Sequence, residues 1–124
     1  MESKTVLLID GDRYLLRMYE DLLESLDYKV ITATDGDRGS FLAKEHKPQV
    51  VVTALDLERK DGLTVLREIK KNKDTQKIPV IILSNSGDRE SIRACLKAGA
   101  SSYLIKIYHT PSEVVEIIAN SCKN

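Results

Sequence analysis

Four apolar runs in this chain each end in residues that could do chemistry. Val6 to Ile9 leads into Asp10-Gly11-Asp12, Val50 to Val52 into Thr53-Ala54-Leu55-Asp56, Val80 to Leu83 into Ser84-Asn85-Ser86, and Tyr103 to Ile105 into Lys106. As strands of one parallel sheet, these runs would deliver their closing residues to the crevice beyond the strand carboxyl ends. Carboxylates, hydroxyls and one ammonium would meet there. Two positions withhold chemistry. Gly11 cannot coordinate a metal through a side chain, and Ala54 has no oxygen to act as a nucleophile.

The elements that must position these clusters can be read from the punctuation of the sequence. Tyr14, Met18, Leu22 and Leu26 recur every four residues, with Leu15 and Leu23 beside them, as on one face of an amphipathic helix. Val30 to Ala33 reads as a second strand ended by Asp35-Gly36. The helix after it, about Arg38 to Glu45, takes Phe41 and Leu42 as apolar anchors. Pro48 introduces the β-branched run Val50 to Val52, which suits a strand covered on both faces. Asp61 is placed to cap a helix carrying Leu63, Leu66 and Ile69. Asp88 is placed to cap one through Ile92, Cys95 and Leu96 that stops at Gly99, where positive φ is tolerated. Thr110-Pro111-Ser112-Glu113 has the spacing of a capping box with proline at the first helical position, and Val114, Ile117 and Ile118 supply that helix's buried face. Strict alternation of strand and helix predicts a three-layer, doubly wound α/β fold with a five-stranded parallel sheet, in a single domain over residues 1–124.

Composition excludes several function classes. The chain has 124 residues with 19 Lys plus Arg against 19 Asp plus Glu, and this balance offers nucleic acid no basic stripe. No apolar run approaches the length of a membrane span. Met1 to Lys4 runs straight into a strand-like segment with no charged-then-apolar leader, which points to the cytoplasm. Cys95 and Cys122 stand alone and read as packed thiols. His46, placed near a helix carboxyl end, and His109 are equally solitary and receive no role. The Lys- and Glu-rich stretches such as Arg67 to Lys73 read as solvated helix surface.

From about Lys4 to Ser121 the chain resembles response-regulator receiver domains. The resemblance is carried by Val6-Leu7-Leu8-Ile9-Asp10, by the Asp61-Gly62-Leu63 turn, and by Ala98-Gly99-Ala100 followed by Tyr103-Leu104-Ile105-Lys106, in order and at family spacing. It implies the flavodoxin-like strand order 2-1-3-4-5 and a role in two-component or phosphorelay signalling. In that family an aspartate closing the third strand accepts a phosphoryl group, and an acidic pair after the first strand holds Mg²⁺. A Ser or Thr after the fourth strand and a Lys after the fifth bind the phosphoryl oxygens. A hard cation and an ammonium offset the repulsion between an attacking carboxylate and the phosphoryl oxygens.

Carried over residue by residue, the implied site is incomplete. Ser84 and Lys106 match the phosphoryl pocket, Tyr103 matches the family's switch aromatic, and Asp10 matches the first acid of the pair. The second acid is Gly11. The phosphoacceptor position is Ala54, six residues after Pro48 and seven before Asp61, both family spacings. Asp12 and Asp56 complete the acidic pocket. Asp12 is expected to cap the first helix, and with Asp10 it forms at most a weak residual cation site. Asp56 is expected to be a rim acid, since its offset of two strand residues moves a carboxylate roughly 6–7 Å. No cofactor is expected, and Mg²⁺ binding should be weak or absent. Ile107 stands where the family has a proline after the lysine. A cis bond there would cost about 2.5–4 kcal/mol, so a trans bond and a shifted loop are expected.

These features imply a non-enzymatic, non-phosphorylatable pseudo-receiver that works by protein–protein contact. Its expected contact face is the family's output surface, here Asp88 to Ala98, Ser102 to Lys106 and Thr110 to Ser121. The expected partners are a histidine kinase or an output protein, with neither nucleic acid nor membrane. Two alternatives stand beside this reading. One is an ordinary Mg²⁺-dependent phosphoaccepting receiver whose acceptor aspartate has been replaced by engineering at Ala54. The other is a haloacid-dehalogenase-like phosphatase with Asp10 as nucleophile and Asp12 as acid/base.

Overall fold

A computed structural model describes residues 3–123 of the chain. Met1 and Glu2, on which part of the leader reading rested, lie outside the described residues. Five strands alternate with five helices: β1 (Thr5–Ile9), α1 (Arg13–Ser25), β2 (Lys29–Ala33), α2 (Gly36–His46), β3 (Val50–Thr53), α3 (Gly62–Lys71), β4 (Val80–Ser84), α4 (Arg89–Lys97), β5 (Ser102–Ile105) and α5 (Pro111–Ser121). All strand pairs are parallel, in the order β2-β1-β3-β4-β5. This is the predicted fold.

Strand side chains alternate between faces, and the buried residues divide by that alternation. Val6, Leu8, Val50, Val52, Ile81, Leu83 and Leu104 pack under α1 and α5 with Leu16, Tyr19, Leu23, Val114 and Ile118. Leu7, Ile9, Val51, Val80 and Ile82 pack on the opposite face with Leu42, Val65, Leu66, Ile69 and Cys95. Each fully buried aliphatic side chain is worth about 1.5–3 kcal/mol of transfer free energy, so the central strands β1, β3 and β4 anchor both layers.

Three helix faces differ from the periodic reading. In α1 the buried residues are Leu16, Tyr19 and Leu23, while Tyr14 is 91% exposed and Met18 and Leu26 about half exposed. A step of four residues overshoots one helical turn by about 40°, so the Tyr14–Leu26 row spirals off the seam that faces the sheet. In α2, Phe41 is 53% exposed and lies under the Arg38 guanidinium at 5.4 Å, so Leu42 and Ala43 are the anchors. In α4, Cys95 is buried and Leu96 is half exposed.

The caps follow side-chain chemistry. Asp12, Asp61 and Asp88 each accept hydrogen bonds from amides of the following turn, as does Asp35, which the sequence reading took only as a strand end. Thr110 and Glu113 form the expected capping box. Each such cap is worth about 1 kcal/mol. His46 closes α2, as placed. Gly99 sits at φ 109°, the conformation that lets the chain turn from α4 towards β5. Gly62 serves a different need. A Cβ there would lie 2.0 Å from the Ala54 carbonyl oxygen, so only glycine lets α3 start against the end of β3.

Candidate functional site

The carboxyl ends of β1, β3, β4 and β5 surround a cleft of about 560 Å³. Asp10, Gly11, Asp12, Ala54, Asp56, Ser84 and Lys106 all line it, so the fold gathers the residues that the sequence picked out by strand position. Asp61 and Ser91, from the starts of α3 and α4, line it too. The sequence marked Asp61 only as a helix cap and turn residue and Ser91 not at all, because only the packing of the two helices brings their starts to the rim.

At the centre, Lys106 Nζ lies 2.9 Å from Asp10 Oδ2. Asp10 is buried, and its other oxygen accepts from the Asp12 amide at 2.9 Å. Both oxygens of this carboxylate are therefore engaged, which is what makes a buried charge tolerable. Asp12 caps α1, accepting from the amides of Tyr14 and Leu15 at 3.0 and 3.2 Å. Asp12 is thus committed to capping α1, which argues against the phosphatase reading of Asp10 and Asp12.

Ala54 lies just past β3, with its amide bonded to the Ile9 carbonyl at 2.8 Å. The backbone ladder thus continues one residue beyond the strand. The side chain is a buried methyl with nothing to donate or accept. Beneath it is an apolar void of about 10 Å³ lined by Leu16, Tyr19, Val52, Leu83 and Val114, roughly one water-sized sphere. Asp56 is exposed and outside the strand, in the loop that leads to α3. Strand alternation stops before it, and it lies at the cleft rim.

On the other side, Ser84 closes β4 and is buried, and its Oγ accepts from the Ser86 amide at 3.1 Å. Ser86 Oγ accepts from the Asp88 amide at 3.1 Å, and the Tyr103 hydroxyl donates to the Ser86 carbonyl at 2.8 Å. Tyr103 is partly buried. It ties the loop between β4 and α4 to β5. The peptide bonds of the described residues are all trans, the Lys106–Ile107 bond included. The chain then forms a short 3-10 turn, Lys106–Tyr108, that leaves Ile107 79% and Tyr108 70% exposed. His109 Nδ1 pairs with the Ile105 carbonyl at 3.1 Å.

Few free side-chain oxygens remain here for an Mg²⁺ ion. That ion needs near-octahedral oxygen ligation, usually from one or two carboxylates plus waters. Here Gly11 and Ala54 offer no side-chain oxygen, Asp10 is bonded to Lys106, and Asp12 is bonded to helix amides. Among the described residues no three His, Cys, Asp or Glu side chains are grouped to hold a metal. Both cysteines are buried, and burial pushes their thiols up. Among the described residues no helix is long and apolar enough to cross a membrane.

Comparison with known proteins adds an independent line. The family model of the response regulator receiver domain matches residues 6–119. The transcriptional regulatory protein KdpE of Staphylococcus aureus is 31% identical over 98% of this chain and 53% of its own length. The polar-differentiation response regulator DivK of Brucella ovis is 28% identical over 88% of this chain and 89% of its own. The chain spans about half the length of the first curated relatives it matches. Among solved structures, a response regulator receiver domain protein of Clostridium thermocellum is 31% identical, with a TM-score of 0.86 over 96% of this chain and 94% of that one. The strand order, the cleft and the family match agree: this chain belongs to the response regulator receiver domain family.

Proposed function

We propose that residues 1–124 act as one receiver domain that takes no phosphoryl group and passes its signal by protein–protein contact. One observation carries the reading. The side chain at the acceptor position is the methyl of Ala54, which has no oxygen to attack phosphorus. The geometry around it supports the same reading. Lys106, which in the family binds a phosphoryl oxygen, is engaged by Asp10, and Gly11 stands where the family has its second metal ligand. Asp56, the nearest other acid along the chain, is an exposed rim residue, so it does not take over as acceptor.

With no covalent trigger, the resting arrangement is set by packing. Tyr103 is tied to Ser86, and the Ser84–Ser86–Asp88 hydrogen bonds run from the cleft to the cap of α4. The proposed contact surface is α4, β5 and α5, with half-exposed Leu96 on it. Its partners would be a histidine kinase or an output protein. With no covalent change at the cleft to alter that face, output would be constitutive or set by the partner.

The test is intact-mass spectrometry after incubation with acetyl phosphate and Mg²⁺, and separately with an active histidine kinase. No phosphoryl adduct is expected in either case. An adduct mapped to any residue of the cleft, Asp56 included, would sink the proposal.

A further inference from the structure

The cleft has lost a carboxylate but kept the groups that face one. We propose that the recess above the Ala54 methyl is a reversible site for a small carboxylate, so that a ligand supplies the group that residue 54 lacks. This rests on the reading that position 54 takes no covalent phosphoryl group.

The argument begins with shape. Alanine differs from aspartate by one carboxylate, and Ala54 lines the open cleft, so a formate-sized anion has room to rest on the methyl at van der Waals distance, near the place of the absent carboxylate. The donors come next. Lys106 carries three N–H groups, and its one ion-pair partner among the described residues is Asp10. Ser84 is buried at 6% exposure. Its Oγ accepts from the Ser86 amide, and its own O–H donates to no protein group among the described residues. The amides of Leu55, Asp56 and Asn85, all cleft residues, likewise have no protein acceptor among the described residues.

Charge does not draw an anion in, since one lysine faces four carboxylates in the cleft lining; it limits how negative a ligand held by these donors can be. The cleft holds one cation, already shared with Asp10, while Asp12, Asp56 and Asp61 add negative potential. A carboxylate brings one negative charge, which Lys106 can share between two acids. A phosphate dianion brings more, and with Gly11 in place of a metal ligand nothing offsets the excess. The geometry therefore favours a monoanion over the phosphoryl group that the family pocket otherwise takes. The carboxylate can come from a free small acid or from an acidic side chain of a partner, and the chemistry at Lys106 and Ser84 is the same.

The experiment is an amide-resolved NMR titration of the whole chain at constant pH and ionic strength. The probes are sodium formate and a blocked aspartate, N-acetyl-aspartate N-methylamide, with sodium chloride as control. Saturable shifts are expected at Ala54, Leu55, Ser84, Asn85 and Lys106 with both carboxylates and not with chloride. Tighter binding of formate assigns a free acid, and tighter binding of the blocked aspartate assigns a partner's side chain. In Ala54→Asp the built-in carboxylate should weaken formate binding by about tenfold or more, and Lys106→Met should do the same through loss of the charged donor. Both variants are checked for native spectra, and Ala54→Asp keeps the test valid if Lys106→Met does not fold. Absence of saturation, equal shifts with chloride, or unchanged binding in Ala54→Asp would overturn the site. Intact mass after acetyl phosphate, read on the same sample, separates this failure from a failure of the non-phosphorylatable reading.

Discussion

The two sides of the cleft differ in what they kept. The β4–β5 side carries Ser84, Tyr103 and Lys106, each bonded to a named partner. The β1–β3 side carries Gly11 and Ala54, where the family pattern has a metal ligand and a nucleophile. Yet the backbone of that side is as well tied as the other. The Ala54 amide bonds to Ile9, and Gly62 lets α3 close on the Ala54 carbonyl. The difference separates two requirements that coincide in an ordinary receiver. Main-chain geometry at residue 54 belongs to the fold, while the side chain at residue 54 belongs to the chemistry. One can be absent without loss of the other.

The sharpest way to break the contrast is to refill the poor side. Gly11 has open space, with the Thr34 carbonyl 3.9 Å from an added Cβ, and Ala54 faces the cleft. The double change Gly11→Asp with Ala54→Asp should convert a chain that takes no label into one phosphorylated by acetyl phosphate in Mg²⁺. Intact-mass spectrometry reads the result. No label on a folded double variant would mean that the β1–β3 backbone is also unsuited to the chemistry.

Next in size is the backbone itself. Gly62→Ala would force a Cβ against the Ala54 carbonyl and should cost about 3 kcal/mol in urea unfolding. A loss well under 1 kcal/mol would show that α3 moves away cheaply, and that the close approach beside Ala54 is not part of the fold.

A third test weighs the retained ion pair. With two family acids absent, Asp10 meets less like charge than in an ordinary receiver, so Asp10→Asn should destabilise by about 1–3 kcal/mol, a value discounted for the partial exposure of Lys106. A rise in Tm instead would show that acid crowding from Asp12, Asp56 and Asp61 still dominates.

The smallest effect comes from an exposed pair away from the cleft. Lys60 Nζ lies 2.8 Å from Glu68. Burial pushes the Glu68 carboxyl up, but the Lys60 hydrogen bond and charge outweigh it and hold the group below its usual value. A carboxylate depressed in the folded state adds stability above its unfolded pKa and loses it as pH falls through the folded one. The wild-type advantage over Glu68→Gln should therefore be a few tenths, about 0.5 kcal/mol, at pH 6 and vanish towards pH 3. Thermal melts at the two pH values check it, and an advantage that persists at pH 3 would contradict the assignment.

The sequence by itself determined the alternation of elements, and with it the parallel sheet and the set of residues at its carboxyl edge. Apolar periodicity, Asp and Thr caps and Gly99 are local signals, and local signals survive in one dimension. It also determined that residue 54 has no nucleophile, since composition at one position needs no fold to be read. Tertiary structure decided which row of α1 is buried, why Phe41 is left in the open, and that Asp61 and Ser91 reach the cleft. It also decided that Asp10 and Lys106, nearly a chain length apart, meet at 2.9 Å. Those outcomes depend on the angle at which each helix meets the twisted sheet, a quantity that no local run of residues encodes.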